Sequence, residues 1–148
     1  MPTQQLIDSL LGKVSATLST PACYTLTEWD VRSEIVRTGE SAIGDWLADV
    51  LMHSYSEALE EKGAGRIDLV LNCGGTLRGD SRYGPGVVTL GDVLEILPFE
   101  DPVVVIQMSG NAIWECLESG LGKWPAHEGS VRFFSRSRVR CFLGRSAD

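Results

Sequence analysis

The sequence predicts a mixed α/β domain, helices layered against a small mixed sheet. Segments with helical apolar periodicity alternate with short β-branched runs, and capping or breaking residues stand between them. The expected order is helix, strand, helix, strand, helix, strand, helix. Gln4 to Leu18 has apolar residues at helical spacing (Leu6, Ile7, Leu10, Leu11, Val14, Leu18), and Pro21 ends the run. Ala22 to Thr27 reads as a short strand, and Glu28 to Thr38 as a polar connection carrying Arg32 and Arg37. From about Glu40 to Lys62 a stripe of Ile43, Trp46, Leu47, Val50, Leu51, Ala58 and Leu59 predicts the clearest helix. Thr38 is placed to cap it, and Gly63 and Gly65 to stop it.

Arg66 to Asn72 reads as a buried strand, followed by a glycine-rich loop from Cys73 to Gly86. Thr89 caps a short helix to Ile96, and Pro98 closes it. Val103 to Met108 reads as a second buried strand. Ser109 caps a last helix through Leu121, with Ile113, Trp114, Leu117 and Leu121 expected on its inner face. There is no internal repeat.

A length of 148 residues suits one domain, and 43% hydrophobic residues suffice for a core, which argues against disorder. The net charge of −7 disfavours nucleic acid or an anionic membrane as partner. A small anionic ligand fits, because a few placed arginines outweigh a diffuse acidic surface locally. From Val131 onward there are five arginines against one aspartate, a net +4 that leaves −11 on residues 1–130. Cys23, Cys73, Cys116 and Cys141 lack zinc-knuckle or dithiol spacing and are expected to be free, buried or partly buried thiols. Two histidines, His53 and His127, make a poor ligand set for a hydrolytic metal site. Met1 to Gly12 has neither the basic start nor the apolar run of a signal peptide, and no run reaches the ~20 residues of a membrane span. The chain therefore reads as soluble.

The richest candidate for chemistry is Asn72-Cys73-Gly74-Gly75-Thr76-Leu77-Arg78-Gly79-Asp80. Paired glycines let a backbone come close to a ligand, and Arg78 can donate paired hydrogen bonds to phosphate or carboxylate. A tight turn with a solvated arginine reads equally well from the residues alone. Gly63-Ala64-Gly65 precedes its strand, and Gly120-Leu121-Gly122-Lys123 lacks the hydroxyl residue of a phosphate loop, so neither is a nucleotide fingerprint. Arg78-Gly79-Asp80 spells an adhesion tripeptide that chance produces often. Asp45 and Asp49 stand one helical turn apart; Asp45 reads as a solvated acid, and Asp49 stays open as an acceptor for the glycine loop. By its neighbours alone Phe99 reads as core.

Four stretches in order resemble the C-terminal domain of the 5′-nucleotidase family. They are Arg37-x-x-Glu40-x-x-x-Gly44-Asp45-x-x-Ala48-Asp49, then Asn72 through Arg78, then Gly86-x-x-Thr89-x-x-Asp92-Val93-x-x-x-Leu97-Pro98-Phe99, then Val105 to Gly110. The resemblance covers roughly Glu28 to Gly129. It divides the chain into a lead-in helix and strand at 1–27, an incomplete nucleotide-binding domain at 28–129, and a divergent arginine-rich tail at 130–148. It implies that Arg37 and Arg78 contact a nucleotide and that Phe99 is a platform for its base. Asn72, Gly74 and Gly75 would line the same site, and Asp101 stands where a family Asn often meets the base. Asp45 replaces a usual Asn, and Ser33 stands where the family has a second Arg, with Arg32 one step away.

In that family a separate N-terminal metallophosphatase domain holds two divalent metals and cleaves the ester. Its ligand motifs are absent here, as is the downstream glycine-rich aromatic segment that completes the base clamp. The resemblance thus implies a nucleotide- or nucleoside-binding unit of a hydrolase of nucleotide catabolism, without metal or other cofactor of its own and inactive alone. The alternatives are a component working beside a separately encoded metallophosphatase domain, or a non-functional gene fragment, truncated or frame-shifted near Gly129. The tail's apolar residues (Val131, Phe133, Phe134, Val139, Phe142, Leu143) are interleaved with charge, and the tail is expected to pack poorly.

Overall fold

The computed structural model describes residues 12–122. The fold is of the expected mixed class, helices packed around two small antiparallel ladders. Residues 12–18 are helical (α1). The rest of the expected first helix, and the tail from Val131, lie outside the described residues.

Strand β1 (Pro21–Thr25) pairs with β4 (Gly86–Thr89), with Cys23 opposite Val88 and Tyr24 opposite Val87. Strand β2 (Trp29–Asp30) pairs with β3 (Arg82–Tyr83), with Trp29 opposite Tyr83. The polar connection expected from Glu28 to Thr38 is corrected here: it holds β2 and a short helix α2 (Ser33–Val36). Its charges hide three apolar residues, Trp29, Val31 and Val36, that the core buries. Trp29 and Val31 alternate as a strand requires, over too short a span to register as a period.

Helix α3 (Ala42–Glu60) begins later than expected, and Ser41 rather than Thr38 is its cap, accepting from the Gly44 N–H at 3.3 Å. Thr38 lies instead just past the end of α2, where its hydroxyl donates to the Glu34 carbonyl, three residues ahead of the cap position. Ile43, Leu47 and Ala48 of α3 are buried, and Trp46 packs on Trp29 with ring centroids 4.9 Å apart. Gly63 ends the helix as expected, at φ 66°, a backbone state that costs a side-chain-bearing residue more.

Two expected strands are corrected. Among the described residues, Arg66–Asn72 and Val103–Met108 join no ladder. Val104 and Ile106 are 71% and 66% exposed. Their β-branched composition suits a strand, but a strand exists only where another backbone pairs with it. Strand β4 was missed, hidden between a glycine loop and a cap.

Helix α4 (Leu90–Ile96) has the expected cap, completed by a capping box in which Asp92 answers Thr89. Helix α5 (Gly110–Leu121) starts from Ser109 as expected. Its expected inner face holds only in part: Ile113 and Leu117 are half-buried, whereas Trp114 is 61% exposed and Leu121 is exposed. Cys23, Cys73 and Cys116 are free and half-buried. The core joins Trp29, Val31, Val36, Ile43, Leu47, Leu77, Tyr83, Val88 and Ile96, so both ladders, α2, α3, α4 and the glycine loop share it.

The β2–β3 ladder carries an ion network. Arg32 grips Asp30 with both Nε (2.9 Å) and Nη2 (2.7 Å), and Arg82 Nε lies 3.3 Å from the same carboxylate. Hydrogen bonding from Arg32, against a smaller opposing effect of burial, holds the Asp30 carboxyl at about 2 instead of 3.8. A depressed acid stabilises the fold above its unfolded pKa. That contribution is therefore full above about pH 3.8 and lost as pH falls toward 2. Asp30→Asn is expected to flatten the acid limb of the stability curve in that window, less so in high salt. Parallel urea melts at descending pH check this; identical acid limbs for the two proteins would refute it.

Candidate functional site

The glycine loop is shaped from within. Asn72 Oδ1 accepts from the Cys73 N–H at 2.9 Å and lies 3.2 Å from the Thr76 hydroxyl, which also reaches the Cys73 carbonyl at 2.8 Å. These contacts close a single 3₁₀ turn over Gly74–Thr76. Asn72, expected among the ligand-binding residues, thus has its oxygen engaged in building the turn.

The turn lies flush on α2. A Cβ built on Gly74 would stand 2.2 Å from the Val36 carbonyl oxygen and 3.4 Å from the Arg37 Cα. Arg37 ends α2, half-buried, its N–H bonded to the Ser33 carbonyl at 3.2 Å. The far end of the loop is tied to the start of the same helix, where Asp80 Oδ1 accepts from the Ser33 N–H at 2.7 Å. Asp80 therefore has a structural task that the sequence reading missed. Its signal was faint, one acid just beyond the arginine. The loop and the segment carrying Arg37 are brought together as one unit.

Arg78 is positioned by its neighbours on both sides. Leu77 is buried in the core, and the Arg78 N–H donates to the Ile96 carbonyl at 2.7 Å, on the last turn of α4. That bond sets Arg78 beside the residues that follow α4. Its guanidinium carbon lies over the Phe99 ring, 5.3 Å from the centroid. Phe99 is 53% exposed, so the core reading from its neighbours is corrected and the surface position implied by resemblance is the observed one. Asp101 is exposed two residues further on, and Gly75 is half-buried in the turn. Arg32, next to Ser33, is committed to Asp30 and to Glu34, whose carboxylate lies 3.1 Å from its Nη1.

Asp45 and Asp49 are half-buried on α3. His53 is exposed on that helix and lies 3.4 Å from Glu57. Among the described residues, no cluster of His, Cys, Asp and Glu could hold a metal ion, and no helix is long and apolar enough to cross a membrane. A shallow depression of about 510 Å³ lies elsewhere, between α1 and the start of α4, lined by Val14, Leu18, Thr89 and Gly91 among others. Asp92 Oδ2 there accepts from both the N–H and the hydroxyl of Thr89, at 2.7 Å each.

A guanidinium on a half-exposed ring, beside a glycine turn and a second arginine-bearing segment, makes a surface suited to a flat, anionic small molecule. Residues 15–141 match the family described as 5′-nucleotidase, C-terminal domain, and the chain belongs to that family. It is similar to the trifunctional nucleotide phosphoesterase protein YfkN of Bacillus subtilis, with 31% identity over 118 residues, 80% of this chain and 8% of that protein. Its fold is similar to that of a 5′-nucleotidase precursor from Thermus thermophilus, with a TM-score of 0.71 at 23% identity, over 89% of this chain and 24% of that one. The chain thus spans a small part of the length of both relatives.

Proposed function

We propose that this chain is the nucleotide-binding part of a 5′-nucleotidase-type hydrolase acting in nucleotide catabolism, with a nucleoside 5′-monophosphate as ligand. The single observation that carries the reading is Arg78 poised on half-exposed Phe99, beside the turn that abuts Arg37. In this proposal Arg37 and Arg78 hold the phosphate, Phe99 stacks on the base, and Asp101 meets its edge. Gly74 and Gly75 keep the turn low, and Asn72 holds its shape. The catalytic divalent metals belong to a partner metallophosphatase domain, in the same polypeptide or another. The similarity to a nucleotide phosphoesterase and to a 5′-nucleotidase precursor supports a nucleotide as ligand.

Calorimetry with AMP and adenosine tests this. The proposal gives the base a single aromatic platform, so affinity is expected to be modest. Base–aromatic stacking contributes roughly 1–3 kcal/mol. Phe99→Ala should therefore remove nearly all measurable binding of both ligands. An alanine variant that binds AMP as well as the parent chain would sink the reading.

A further inference from the structure

We propose that Arg78 covers Phe99 until a phosphate draws it away, and that this makes the site selective for phosphorylated over unphosphorylated nucleosides. The proposal rests on the nucleotide reading above. The guanidinium carbon stands 5.3 Å from the ring centroid. Flat groups in contact lie about 3.5–4.0 Å apart, so a base inserted between ring and guanidinium would need about twice that spacing. The base and the arginine therefore exclude each other on that face.

Arg78 is free to leave without disturbing the fold. It is exposed, and its backbone is pinned independently through the N–H bond to Ile96 and the burial of Leu77. Only side-chain torsions need change. A phosphate offers charge-assisted, bidentate hydrogen bonds that outcompete an exposed cation–π contact. A nucleotide brings the group that uncovers the ring together with the base that occupies it. A nucleoside must displace the arginine without offering it a phosphate in return, so phosphate and base binding are positively coupled.

Arg78→Ala separates this from a plain phosphate contact. The expected result has opposite signs for two ligands. AMP binds more weakly, while adenosine binds about two- to five-fold more tightly, the factor set by the lost cation–π contact. Saturating inorganic phosphate should raise adenosine affinity for the parent chain by the same factor and leave the variant unaffected. Arg78→Gln, which keeps a long side chain without the charge, should behave as Arg78→Ala does, and a urea midpoint near the parent's should accompany both. Unchanged adenosine affinity in both variants would overturn the proposal. So would weaker adenosine binding, which would mean that the base stacks on the opposite face with Arg78 behind it. If Phe99→Ala leaves AMP and adenosine binding untouched, the nucleotide reading itself fails and takes this proposal with it.

Discussion

Gly74→Ala is expected to destabilise the chain by about 1–3 kcal/mol or more, the range for forcing a methyl group into a packed site. The new Cβ would stand 2.2 Å from the Val36 carbonyl oxygen and 3.0 Å from its carbon. Both are backbone atoms at the end of α2, so no rotamer change relieves the overlap. Either the 3₁₀ turn lifts or α2 shifts, and both lie in the shared core. Gly39→Ala is the matched control, because nothing lies within 4 Å of the Cβ it would gain. Urea unfolding of the two variants is the measurement, with the midpoint of Gly74→Ala well below that of Gly39→Ala and the slope unchanged. Equal midpoints would mean that the turn does not lie on α2. Because the same overlap separates the glycine turn from Arg37, the variant should also lose ligand affinity at temperatures where it stays folded.

The second large effect concerns turnover. The purified chain is expected to release no phosphate from AMP or another nucleotide, with or without manganese, zinc or magnesium. Ester cleavage of this type needs an activated water and a clamp on the developing charge, normally from two metals held by several His and Asp side chains. His53 lies on the exposed side of α3 beside Glu57, and no ligand cluster gathers around it among the described residues. An arginine guanidinium can hold a phosphate but cannot supply the nucleophile. Enzymes accelerate such reactions by about 10⁶-fold or more, so without two bound metals release is expected to fall below detection in a phosphate-release assay. Metal-dependent release that survives repurification would defeat this and direct the search to Asp45, Asp49, Asp80 and His53.

Some of the architecture was legible because its causes are local. A capping hydroxyl acts on an N–H three residues away, so Thr89 and Ser109 could be read as helix starts, and both are. Gly63 could be read as a stop for the same reason. The glycine loop and its arginine stood out as a unit, and the resemblance carried by their order named the family that the chain belongs to.

Other features depend on which distant segments meet. The Glu28–Thr38 stretch looked polar because its charges are numerous, yet Trp29, Val31 and Val36 are core because α3 and β3 pack against β2 and the glycine turn packs against α2. Arg66–Asn72 and Val103–Met108 looked like strands because side-chain composition is local, whereas pairing requires a second backbone at the right distance. Phe99 shows the division most clearly. Its apolar character argued for burial, and the end of α4 turns it outward under Arg78 instead. The sequence by itself determined the fold class, the Thr89 and Ser109 helix caps and the arginine-bearing loop, since each follows from residues within a few positions of one another. Only the tertiary structure decided what is buried, what is paired, and that Arg78 meets Phe99 across 21 positions of sequence. Those outcomes follow from long-range packing, which no local pattern encodes.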